Sequence, residues 1–509
     1  MPVLHLATRV LEIGLLLAVA WPLAGPALSP SFRIAFMREA PPLLAALGGY
    51  LLAVIVVVVA FPWLLAPLAV GAACWLLALR WHARVARGAR QRWPRGRLEL
   101  PSFALWLDRG FLRREHQRHG SPFKVSQFVR RTAAVVGIAK AVDFMQANED
   151  ALSLPPLWFG RFIPRGLFRH MERASHDTYR ELFRAAFARD VFGPLQPLMS
   201  ERMHAELARM ATDSAASGGR GVPPRPYVQR MTFAMWARLF FDVGEERPEF
   251  SRLDALYRVI DLRNPRRVSD AAIRSALDEI TAVLRSIAAS STESRGVLAC
   301  FARRHPEAID DPTVLGNMIY EMHITWADIS SLLLWLFRML TDHPDVARRL
   351  REAAPDDTSG TPLGVRVVLE TLRLEQSEHL YRAAERDIEH EGSVIPKGWL
   401  VRICLAESHR NPDVFPNPDA FDPDRFRDHT YSKREFLPFG TGNHACIGEP
   451  LTRAVGQLFV EALARGWEWR TVADGPLEQG SFRHWRPSSR WRVLIASRAQ
   501  RAEASTRPA

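Results

Sequence analysis

The 509-residue chain is 48% hydrophobic and 24% charged, which excludes a disordered or fibrous protein and allows a large buried core. Its 67 basic residues outweigh 55 acidic ones, for a net charge of +12, and almost all are arginine, which favours anionic partners such as lipid headgroups or an acidic redox protein. Nucleic acid is not expected, because no basic stretch interleaves with aromatics in a binding module. The four scattered cysteines, Cys74, Cys300, Cys404 and Cys446, form neither a CxxC pair nor a disulfide framework.

In chain order, Val10 to Leu28 is apolar apart from Glu12, and Leu43 to Leu79 is a longer apolar run broken by Pro62 and Pro67. About 20 apolar residues span a bilayer, so residues 1–82 are expected to form a membrane anchor of two or three transmembrane spans. A cleaved signal peptide is the competing reading of the first run. Dense arginine from Arg80 to Arg97 marks the cytoplasmic flank of a span. This gives a basic linker over 83–100, a cytoplasmic body over 101–498, and membrane lipids as partners.

From Pro101 onward the apolar period is mostly helical. Helices are predicted over Ala174 to Arg189, Ala271 to Ala289, Pro312 to Thr341, Pro344 to Ala353, Gly364 to Glu375 and Gly448 to Ala464. Strands are predicted over Trp399 to Leu405 and Trp491 to Ala496, giving small sheets beside a helical α+β body. A disordered tail is expected over 499–509.

The stretch Phe436 to Arg453 carries the chemistry: a glycine-containing loop leads to Cys446 and then to an amphipathic helix. A thiolate bound to iron needs preorganised N–H donors and a dry apolar wall. Phe439 supplies the wall, Gly442 and Gly448 allow special backbone conformation or close approach, and His444 is a donor for a haem propionate. The helix starting near Gly448 directs its N–H dipoles at the sulfur.

The spacing Phe439-x-x-Gly442-x-x-x-Cys446-x-Gly448 resembles the haem-binding signature of the cytochrome P450 family, with His444 where many members have arginine. The resemblance implies haem b with Cys446 as axial ligand. It extends to Glu370 and Arg373, one helical turn apart, which with Arg425 match the family's structural clamp. Arg382, with Arg386 as rival, matches the strand arginine that pairs with a propionate, and His176 with Arg180 match the pair that binds the other propionate. The fold implied is the mainly α P450 fold with small β-sheets. The anchor resembles microsomal members, whereas the motifs around His176 and His444 look more like bacterial ones, so a bacterial inner-membrane protein is expected.

One feature departs from the family. The register set by His343-Pro344 places Ala327 and Asp328 where the distal acid-alcohol pair is usual, and Ile324 and Thr325 before it. A one-residue slip would make Asp328 the ordinary acid, with Ile329 in place of the alcohol and Ser330 beside it. Three readings stay open: Asp328 relays protons with Thr325 supplying the hydroxyl; the substrate supplies it; or dioxygen is not activated conventionally. A buried carboxyl there is expected to have a raised pKa and to act as a general acid.

The resemblance implies a monooxygenase that inserts one atom of dioxygen into a lipophilic small molecule. Electrons are expected from a separate ferredoxin or flavoprotein reductase, with Arg434 and Arg453 as docking candidates. A haem-thiolate isomerase, dehydratase or peroxygenase is the alternative. The substrate pocket is expected among loops between about Gly137 and Pro164.

Overall fold

The computed structural model describes residues 92–98, 102, 104–127, 130–260, 268–290, 295–353, 360–376, 378–479 and 484–499, with the single position 70. Both N-terminal apolar runs, most of the basic linker and the tail beyond 499 lie outside the described residues. The chain divides into two compact units.

The smaller unit takes in the chain up to Val136 with Arg382–Ile403 and Gln479–Arg483. Strands Phe123–Gln127, Arg130–Val135 and Leu400–Cys404 are buried along most of their length, so alternation gives way to runs such as Ala133-Ala134-Val135, all inaccessible to solvent. Phe123–Gln127 pairs antiparallel with Arg130–Val135, and that strand pairs parallel with Leu400–Cys404 in the register Thr132↔Leu400. Ile388–His390 and Ser393–Ile395 form a separate hairpin. Gly398 turns the chain into the Leu400 strand with φ +80°, a left-handed conformation that suits glycine.

The larger unit is helical, and its centre is the 31-residue helix Pro312–Asp342. Asp311 caps it by accepting from the Thr313 N–H at 2.8 Å, with Pro312 at the first helical position, where a missing N–H costs nothing. It ends at His343, before Pro344. Leu315, Ile319, Leu332, Leu333, Leu336 and Phe337 are almost completely buried, and the Phe337 ring meets Trp469 and Trp491 edge-on at 5.6 and 5.4 Å. This helix is long and apolar enough to cross a membrane, but most of it is buried inside the protein, so it is a core helix. The expected membrane spans lie outside the described residues.

Helices Leu363–Leu374 and Glu449–Gly466 pack side by side at Gly456. A Cβ there would stand 2.7 Å from Val368 Cγ2 and 3.5 Å from Leu336 Cδ1, so only glycine lets these helices approach so closely while touching the central one. The predicted helices are observed with ends shifted by at most three residues, as Arg173–Ala186, Asp270–Ser290, Pro344–Glu352 and the three already named. The strands at 400 and 492 are also found. The expected loop region from 137 to 164 instead holds helix Ile138–Ala147 and the 3-10 turns Glu149–Ala151 and Trp158–Phe162.

Candidate active site

Cys446 follows the loop Phe436 to Ala445 and precedes helix Glu449–Gly466. The loop folds back so that the Cys446 N–H donates to the Phe439 carbonyl at 2.8 Å. Two turns make this possible: Gly442 at φ +65°, as its type suggested, and Gly440 at φ +69°, which sequence reasoning passed over. Gly448 has an ordinary φ of −88°, so conformational freedom is not its contribution. Its N–H donates to the Cys446 sulfur, and a Cβ there would lie 3.7 Å from Sγ. The Phe439 ring is partly buried and lies under the Arg453 guanidinium, 5.9 Å from the ring centre.

Cys446 is solvent-accessible, yet protein surrounds it so closely that desolvation pushes its thiol pKa up to about 11, despite the Gly448 N–H. Asp328 has the same double character: its surface is accessible, but desolvation is the largest influence on it and raises its pKa to about 7, with Arg169 opposing. Accessible surface inside such an enclosure means that both side chains line an interior cavity, and each lies within electrostatic reach of the other. Glu321, two helical turns before Asp328, is likewise raised to about 7 by desolvation, again against Arg169 and with Asp328 adding to the rise. Glu321, Ile324, Asp328 and Ser331 thus form the cavity stripe of the long helix, at spacings of three to four residues. Sequence reasoning missed Glu321, although its i, i+7 relation to Asp328 was readable.

Thr325 does not join Asp328. Its hydroxyl donates to the Glu321 carbonyl at 2.6 Å and accepts from Trp236 Nε1 at 2.7 Å, so it is turned toward helix Pro224–Phe241 and held there. Ser330, the alcohol suggested by the one-residue slip, is buried and donates to the Trp326 carbonyl at 2.7 Å. Ile329 beside it is buried. The expected carboxyl-hydroxyl partnership is therefore corrected: Asp328 faces the cavity without either alcohol, because a hydroxyl on a helix readily bonds the carbonyl one turn back.

His176 is buried on helix Arg173–Ala186, with Nδ1 3.2 Å from Asp177 Oδ1, and its ring meets the His444 ring at 4.7 Å. Arg180, one turn on, is half-buried within electrostatic reach of Cys446. Desolvation, then Arg184, lowers its pKa, and it has no hydrogen-bond partner among the described residues. His176, Arg180 and His444 therefore make one donor cluster beside the cavity. Arg382 is half-buried within strand His379–Ala384, whereas Arg386 is exposed beyond the strand's end.

Glu370, Arg373 and Arg425 are brought together in the core. Arg373 donates to both Glu370 oxygens at 2.7 Å, and Arg425 Nε donates to Oε1 at 3.2 Å. The remaining arginine donors reach chain carbonyls: Arg373 those of His409, Pro418 and Ala420, at 2.9, 2.7 and 3.0 Å, and Arg425 that of Asn417 at 2.8 Å. His409, another residue sequence reasoning passed over, accepts from the Leu437 N–H at 3.0 Å and so ties the clamp to the Cys446 loop. Burial and the Arg373 and Arg410 charges push its pKa down to about 3, which keeps it neutral and able to accept.

A cysteine with an N–H on its sulfur, set in an enclosed cavity beside an unpaired guanidinium and two imidazoles, fits an iron macrocycle with anionic substituents. The fold and cavity define a cysteine-ligated haem enzyme. The cytochrome P450 family model matches residues 327–482. Abscisic acid 8'-hydroxylase 2 of Arabidopsis thaliana is 24% identical over 428 residues, covering 76% of this chain and 86% of the relative. Abscisic acid 8'-hydroxylase 1 of Oryza sativa subsp. japonica is 32% identical over 193 residues, 35% of this chain and 41% of the relative. Among solved structures, retinoic acid bound cyanobacterial CYP120A1 superposes with TM-score 0.65 at 22% identity, covering 80% of this chain and all of that one. The family match over residues 327–482 and these hydroxylase relatives support a cytochrome P450 monooxygenase with cysteine-ligated haem iron.

Proposed function

We propose that this enzyme hydroxylates a lipophilic carboxylic acid held near Cys446 and Asp328, with Cys446 as the residue that would hold the iron of haem b. The carrying observation is that Cys446 and Asp328 both keep accessible surface while closely surrounded by protein, within electrostatic reach of each other. The relatives above act by name on abscisic acid, and the similar structure holds retinoic acid. Both are largely apolar molecules with one carboxylate.

Bound there, the haem iron supplies the activation of dioxygen and the insertion of one oxygen atom. The protein's part is to bind, orient and deliver protons. His176, Arg180 and His444 are assigned to the propionates, Phe439, Gly442 and Gly448 to the walls of the thiolate loop, and Glu370, Arg373 and Arg425 to fixing that loop. Asp328 holds a proton on its carboxyl up to about pH 7 and presents it to the cavity, acting as general acid without the usual alcohol. Commitment of the Thr325 and Ser330 hydroxyls to helix carbonyls is what favours the second reading, an isomerase, dehydratase or peroxygenase.

Residues 1–82 would anchor the enzyme in a bacterial inner membrane through two or three spans, with 83–100 as the basic linker and 101–498 as a cytoplasmic haem domain. A ferredoxin or flavoprotein would supply electrons. Arg434 and Arg453 are weaker docking candidates than their sequence suggested, because Asp143 and Glu449 pair with them. The test is the reduced carbonyl spectrum of the membrane-bound protein followed by turnover under labelled dioxygen. A thiolate-type Soret band and one labelled atom in the product are expected; product without label would favour the second reading.

A further inference from the structure

We infer that Arg169 is the carboxylate anchor of the substrate cavity, with the Tyr320 hydroxyl beside it. This rests on the proposal that the substrate is a lipophilic acid and names the side chain that would select it. The segment carrying Arg169 is fixed on both sides. Buried Asn317, on the long helix, accepts from the Phe168 N–H at 2.9 Å and donates to the Gly166 carbonyl at 3.2 Å, and His170 Nε2 lies 3.2 Å from the Pro155 carbonyl. An arginine held this way is aimed before any ligand arrives, so little ordering entropy is lost on binding.

Its donors are largely unused. A guanidinium carries five N–H groups, and the contact that Arg169 makes is one of 3.5 Å to Tyr320 Oη. No carboxylate lies within ion-pair distance of it among the described residues. Yet it is enclosed beside the cavity stripe, close enough for Glu321 and Asp328 to feel its charge. A desolvated guanidinium with a free fork binds a carboxylate bidentately. The Glu321 and Asp328 side chains lie near without occupying it, and an apolar acid entering the cavity would.

Acidity sets when the anchor is available. The charged or titratable groups facing Arg169 are Tyr320, Glu321 and Asp328 on the long helix, with His170 on its own turn. His170 is held neutral with its pKa down at about 4, chiefly by burial. The Tyr320 hydroxyl stays protonated at neutral pH, pushed up to about 12. Glu321 and Asp328, both at about 7, are the groups that change. Below that pH they are neutral and Arg169 is free for a ligand carboxylate; above it they are anionic, and they offset its charge and repel the ligand.

The test uses haem-loaded full-length protein with retinoic acid, abscisic acid and their methyl esters as probes. Binding is read by the haem spin-state shift and independently by tryptophan fluorescence quenching. Wild type should bind at least one acid about 10- to 100-fold more tightly than its ester, the range expected for a charge-assisted pair, and that preference should shrink from pH 6 to pH 8. Arg169→Gln should lose the preference while binding the ester as wild type does, and Arg169→Lys should recover part of it. An intact reduced carbonyl spectrum certifies that each variant is assembled. If wild type binds neither acid more tightly than its ester, or if Arg169→Gln keeps the preference, the anchor is wrong. The proposed hydroxylation would then still stand if either ester or acid is turned over with labelled dioxygen, and would fall with it if none is.

Discussion

Glu370→Gln exchanges one carboxylate oxygen for an NH2 group at a side chain with no solvent exposure. The carboxylate accepts four hydrogen bonds: Oε1 from Arg373 Nη2 at 2.7 Å, the Asp422 N–H at 2.9 Å and Arg425 Nε at 3.2 Å, and Oε2 from Arg373 Nε at 2.7 Å. Glutamine with its oxygen at the Oε1 position keeps the first three but sets its NH2 against the Arg373 Nε–H, donor facing donor. The larger loss is charge, since two guanidinium groups with side chains at most 5% exposed are left without their counter-ion. Removing one partner of a buried ion pair costs about 3 to 5 kcal/mol, which raises the unfolded fraction roughly a hundredfold or more. The assay is urea unfolding of the haem-loaded protein, followed in parallel by far-ultraviolet circular dichroism and the Soret band. Because the clamp fixes the segment leading into the Cys446 loop through His409, Soret loss should move to lower urea at least as far as helix loss. A stability loss under about 1 kcal/mol, or an unchanged Soret midpoint, would refute the reasoning.

Asp328→Asn should lower product formation about a hundredfold, the scale of a lost general acid, while leaving the reduced carbonyl spectrum unchanged. In wild type the pKa of Asp328 is raised to about 7, so the proton-bearing form exists below that value and is lost above it; turnover should decline as pH rises through about 7, and Asp328→Asn should lose that decline. Thr325→Val should leave product formation within about twofold and cost about 1 kcal/mol of stability through its lost bond with Trp236; a large drop in turnover with intact stability would restore Thr325 to the proton pathway. Gly456→Ala must push Val368 away from a 2.7 Å approach and should cost about 1 to 3 kcal/mol by overpacking, measured as a lower thermal midpoint of haem release.

Local order made much of this molecule legible. The helix from Pro312 was visible in its apolar period and in the Asp311-Pro312 start, because capping and periodicity act over a few residues. The Cys446 loop was legible for a similar reason: the special φ of Gly442 is written into its residue type. Gly448 was half-read, since its residue type could not tell a conformational demand from contact with the sulfur. The Glu370, Arg373 and Arg425 clamp was legible through resemblance alone, because an i, i+3 pair on a helix has the same spacing whether it lies at the surface or in the core.

What the chain's order alone determined, then, were its elements, its thiolate loop and the presence of an unusual acid on the distal helix. The tertiary structure decided which groups share the cavity. Thr325 and Asp328 are three residues apart, yet Trp236, 89 positions from Thr325, draws that hydroxyl to a neighbouring helix. Arg169 carries no signal in its own segment; Asn317, 149 positions from Phe168, is what aims it. Hydrogen-bond satisfaction and desolvation are settled by neighbours distant in sequence, so the proton inventory of this cavity could be read only once the chain was folded.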